Sequence, residues 1–127
     1  MLIATAIFAV LAALVHVLFF AYESVLFERP AVHARFRTRT QDVPAVRPWA
    51  YNQGFYNLFL AIGTTVGVAF AFSQEDVGLA LVLFGCGSML AAAVVLVTAD
   101  RRMARAAVTQ GLFPLLAVVL AVVTLIA

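Results

Sequence analysis

Glu23 is the only acid inside a long apolar run, and His16 stands seven positions before it in the same run. On an α-helix that spacing is two turns on one face, roughly 10 Å along the axis. The two groups are too far apart to bond directly, so a water, a ligand or a side chain from another helix must stand between them. An acid and an imidazole so placed can relay protons or serve as general acid and base. A second set, Asn52, Gln53, Tyr56 and Asn57, opens another apolar run. At about 100° per residue these fall on one arc of about 140°, which Gly63, Thr64 and Gly67 continue. Phe55, Leu58, Ile62 and Val66 occupy the opposite side. Amides and a phenol are groups that orient a bound molecule by hydrogen bonds. Gln110, beside Gly111, precedes Pro114, whose missing N–H frees a backbone carbonyl near position 110.

The elements that carry these residues follow from composition. Of 127 residues, 65% are hydrophobic and 11% charged, against about half and a quarter in an average soluble domain. Mean hydropathy is +1.09. So apolar a chain would expose greasy patches that water does not tolerate. A soluble globular enzyme, a nucleic-acid module and a disordered tail are all excluded, and lipid is the expected solvent.

Four apolar stretches run from about 2–27, 49–72, 77–99 and 104–127. Each reaches the roughly 20 residues that a bilayer core demands of a helix, and helices satisfy their own backbone in lipid. The expected fold is therefore all-α: a single integral-membrane domain, 1–127, built as a four-helix bundle. No positive segment precedes the first stretch, and it is too long for a signal-peptide core, so it reads as a retained helix. The third stretch carries Gly78, Gly85, Ala92 and Ala99 at steps of seven, which suits close helix approach. Each half also reads as apolar helix, arginine loop, then a helix opening on Gln-Gly (Gln53-Gly54, Gln110-Gly111). A duplicated helical hairpin and a chance match both account for that echo.

All eight basic residues are arginines: Arg29, Arg35, Arg37, Arg39 and Arg47 in loop 28–48, and Arg101, Arg102 and Arg105 near the fourth helix. The positive-inside rule places both loops in the cytoplasm and both termini, with Glu75 and Asp76, on the other side. The expected location is a bacterial inner membrane. In the longer loop, His33, Arg35, Arg37 and Arg39 alternate with smaller or apolar residues. That pattern suits a phosphate or acidic-lipid contact, or simply a topology signal resting on anionic headgroups. Cys86 is the single cysteine; it permits no intrachain disulfide, has no metal-ligand spacing, and reads as a packing residue. No metal and no cofactor is expected.

Depth gathers the polar groups. Glu23 lies near the cytoplasmic end of the first helix, Asn52, Gln53, Tyr56 and Asn57 in the first turns of the second, and Gln110 two turns into the fourth. His16 sits near mid-membrane. Together they predict a polar pocket open to the side of the arginine loops.

In order, His16 and Glu23, the run Asn52-Gln53-Gly54-Phe55-Tyr56-Asn57-Leu58-Phe59-Leu60-Ala61-Ile62-Gly63, and Gln110-Gly111-Leu112-Phe113-Pro114 resemble a bacterial family of small four-helix membrane proteins known only as a domain of unknown function. The resemblance covers nearly the whole chain and is weakest in the third helix. It implies the fold and the polar cluster, and it supplies no reaction. An epimerase label borne by some members has no counterpart in these residues.

Three functions fit. The first is a protein that binds or transports a small polar or amphipathic molecule in the pocket. Four helices make a thin conduit, so transport calls for a homo-oligomer. The second is a membrane-embedded enzyme on a lipid or isoprenoid substrate, with Glu23 and His16 as acid and base. The third is a scaffold or partner subunit whose polar residues are interhelical hydrogen-bond glue. Membrane lipids are partners in all three, and nucleic acid in none.

Overall fold

The computed structural model describes residues 1–127, which form helices and turns without strands. Helix α1 spans Leu2–Phe20 and passes into a single π turn, Ala21–Val25. A short α2, Pro30–His33, follows, and then α3, Val43–Ala71, α4, Glu75–Ala99, and α5, Ala104–Ile126. With their flanking turns, the four long helices are each long and apolar enough to cross a membrane.

Two differences from the sequence expectation have local causes. The first helix is α-helical only to Phe20, because the amide of Leu26 reaches back five residues to the Ala21 carbonyl, at 2.9 Å, and widens the last turn. The second long helix starts at Val43 rather than Trp49. Pro44 lies in its first turn, where a missing N–H costs nothing. Val43 and Ala50 are buried against Phe27, with Phe36 and Val46 packed beside them, so the helix continues through Pro48.

The chain forms two compact units. In the first, Met1–Val15 with Leu60–Ala127, the core is Ala9, Ala12, Val82, Cys86, Met89 and Ala117. Large apolar side chains point outward instead: Ile3, Ile7, Leu14 and Phe84 are all exposed. Small residues inside let the backbones approach closely, which is how helices associate where lipid removes the hydrophobic drive. The α3–α4 contact shows it most sharply. A side chain at Gly78 would run into the backbone of Ala71, and one at Gly67 would stand 2.9 Å from the Val82 amide. Gly85 leaves room for the Thr64 hydroxyl. On the other side, Phe8 stacks on Phe113 at 6.4 Å, and the Thr5 and Thr124 hydroxyls lie 3.5 Å apart, so α1 and α5 run antiparallel. Thr5 is buried, yet it also donates to the Met1 carbonyl at 3.3 Å.

The second unit is His16–Phe59. Its connecting segment folds around His33, which is buried with both ring nitrogens engaged: Nδ1 at the Phe27 carbonyl and Nε2 at the Thr40 hydroxyl, each 3.2 Å. Arg37 turns the chain with φ 58°. Arg39 forks onto Asp42, Arg47 pairs with Glu28, and Arg35 lies over the Tyr22 ring at 5.4 Å. The segment is therefore a folded cap with its own small core, and His33 points inward rather than out among the arginines.

Gly78→Ala places a methyl in the Ala71 backbone and is expected to cost about 1–3 kcal/mol. Gly63→Ala meets nothing within 4 Å and should be neutral or gain up to ~1 kcal/mol from helix propensity. Thermal unfolding in detergent compares the two; equal midpoints would contradict the close approach of α3 and α4.

Candidate functional site

The π turn and the middle of α3 bring two polar side chains into contact within an apolar frame. Asn57 Nδ2 donates to Glu23 Oε2 at 2.7 Å and to the Gln53 carbonyl at 3.3 Å. Because a carbonyl can only accept, the Gln53 contact fixes which end of the amide faces the carboxyl. Asn57 is buried, and Glu23 is half-buried. Glu23 takes part in none of the ion pairs, all of which lie in the cap and the α4–α5 connection.

Two neighbours complete the contact. Ser24 Oγ donates to the Tyr51 carbonyl at 2.8 Å, tying the π turn to α3 one turn before Phe55. Gly54 makes that approach possible, since a side chain there would collide with the Ser24 hydroxyl and stand 3.1 Å from Glu23 Cβ. An aromatic ladder flanks them: Phe20 meets Phe55 edge-on at 5.1 Å, Tyr51 lies 5.1 Å from Phe55, and Phe59 follows at 6.1 Å.

The other candidates are placed differently. His16 is fully buried with its ring edge-on to Phe19 at 6.0 Å, and no hydrogen bond joins it to Glu23. The π turn also changes the angular step behind Phe20, so heptad spacing no longer aligns His16 with Glu23. Asn52, Gln53 and Tyr56 have exposed side chains. Gln110 belongs to the other unit, half-buried on α5 one residue before Gly111, which packs against Ala93. Ser24 was not singled out by sequence reasoning, although a serine beside the lone acid of an apolar run is the signal that could have found it. The π turn has no comparable signature.

This geometry defines a class: a small helical chain with four apolar spans, in which one carboxyl is held by a neighbouring helix's amide. The chain belongs to the family of proteins of unknown function DUF1304, whose family model matches residues 10–122. That range includes His16, Glu23, the run from Asn52 to Gly63, and Gln110. No curated protein and no solved structure matches the chain.

Removing one partner leaves the other's polar group short of a bond in an apolar setting. A double-mutant cycle on Glu23→Ala and Asn57→Ala is expected to give a coupling of about 0.6–1.7 kcal/mol. Additive effects in chemical unfolding would show that the bond contributes nothing.

Proposed function

We propose that this protein binds, and moves across a membrane, a small polar or amphipathic molecule at a site centred on Glu23 and Asn57. One observation carries the reading: the 2.7 Å bond from Asn57 to a carboxyl that has no cationic partner, in a segment apolar enough to span a bilayer. An acidic side chain at membrane depth is costly and persists where it serves a substrate, an ion or a proton. Glue between helices needs no acid, because an amide–amide pair holds two helices at lower desolvation cost.

In this reading Asn52, Gln53 and Tyr56 orient the molecule as it approaches along the open side of α3, while His16 is the candidate to exchange protons with the site. The arginine-bearing segments face the cytoplasm of a bacterial cell, the termini face outward, and the site opens inward. Four helices form a narrow conduit, so the working unit is a homo-oligomer embedded among membrane lipids.

Native mass spectrometry of protein released from detergent tests the reading. Wild type is expected to retain a small-molecule adduct that Glu23→Ala and Asn57→Leu both lose while keeping the wild-type oligomeric state. Absence of any adduct from wild type, or its full retention by both variants, would overturn it. Orientation is checked separately: in a Cys86→Ala background, Thr38→Cys should react with an impermeant maleimide only after the cells are opened.

A further inference from the structure

We propose that the molecule taken by this site is an organic cation, a protonated amine carried on a small apolar body. The inference rests on the binding reading above and deepens it by naming the ligand class.

The argument is an inventory of unused hydrogen-bonding capacity. Asn57 has two amide hydrogens; one is given to Glu23 and the other to the Gln53 carbonyl. Ser24 has one hydroxyl hydrogen, given to the Tyr51 carbonyl. Every donor at the contact is therefore committed. What remains is acceptor capacity: Glu23 Oε1, the Asn57 Oδ1 and the lone pairs of Ser24 Oγ. A site whose donors are spent and whose acceptors are open recognises a donor, and an ammonium group offers up to three. An anion or a carbonyl compound would find nothing to bind it there.

Charge points the same way. The ion pairs of this unit join Arg39 to Asp42 and Arg47 to Glu28, and Arg35 rests on Tyr22. None of these guanidinium groups is paired with Glu23, so the carboxylate keeps its charge available for an incoming cation. The aromatic ladder of Phe20, Tyr51, Phe55 and Phe59 supplies the remainder. Ring faces attract cations through their quadrupoles, and their apolar area covers the ligand's body. A bare metal ion would make poor use of such a ladder, whereas an alkyl or aryl ammonium would use both halves.

The test compares three probes of similar size: phenethylammonium, neutral 2-phenylethanol and anionic 3-phenylpropanoate. Each is titrated calorimetrically into the full chain in phosphatidylcholine nanodiscs, with empty nanodiscs subtracting simple partition. Phenethylammonium alone is expected to bind saturably. Glu23→Gln should weaken it on the order of thirtyfold, as for loss of one partner of a desolvated charge pair. Glu23→Asp, which keeps the charge, should retain more binding than Glu23→Gln, and Phe55→Leu should weaken it roughly threefold. Equal binding by wild type and Glu23→Gln would overturn the proposal, as would saturable binding of the alcohol or the propanoate at matching affinity. If no probe binds while wild type still carries its Glu23-dependent adduct, the cation class fails and the site survives. If the adduct is missing as well, both fall.

Discussion

The backbone of Ala71 fills the space where a side chain on residue 78 would stand, and that exclusion governs the first unit. Helices bathed in lipid gain nothing by hiding large apolar side chains from their surroundings. What they gain comes from backbones close enough for many weak contacts, which requires small residues on the facing sides. Gly67, Gly78, Ala9, Ala12, Ala117 and Ala121 take the inside, and Ile3, Leu14, Phe84 and Ile126 the outside. The order of a soluble core is thus reversed. Buried Thr5 follows the same logic, because a hydroxyl that returns its hydrogen to its own helix adds little bulk and leaves no polar atom stranded.

The second unit answers a different demand. It must hold polar groups in an apolar frame, and it does so by letting each donor satisfy an acceptor on the same or the adjoining helix. Gly54 is the counterpart there of Gly78, since it admits the π turn closely enough for the Ser24 hydroxyl to reach the Tyr51 carbonyl. The cap repeats the device with an imidazole, which occupies both ring nitrogens and spares the segment a larger core.

Four helices, their approximate limits and the glycine-rich third helix were legible in the sequence because length and small-residue spacing are one-dimensional quantities. Glu23 was legible for the same reason, as the lone acid in an apolar run. Asn57 stood out only as one of four polar residues on a broad arc, and an arc does not say which part of it meets protein. The neighbouring helix decides that: Asn57 meets Glu23, while Asn52, Gln53 and Tyr56 stay exposed. The fold of the arginine segment was hidden because it depends on pairings between residues far apart in the chain, Phe27 with Val43 and His33 with Thr40. Its prolines and arginines read locally as a loop. The π turn was hidden too, because it arises from the packing of Glu23 and Ser24 on α3 rather than from any residue's own preference.

That π turn makes chain length itself part of the architecture between Phe20 and Phe27. A helix that closes one turn over five residues holds one residue more than its α-helical equivalent. Deleting any one of them would restore the ordinary ladder and swing everything behind it by about 100°. Phe27 would then leave its seat against Val43 and Ala50, and the cap would lose its anchor. Drift among homologues should therefore show as substitution within this short stretch and almost never as a gap, whereas the exposed Ser73–Gln74 turn has no such register to keep.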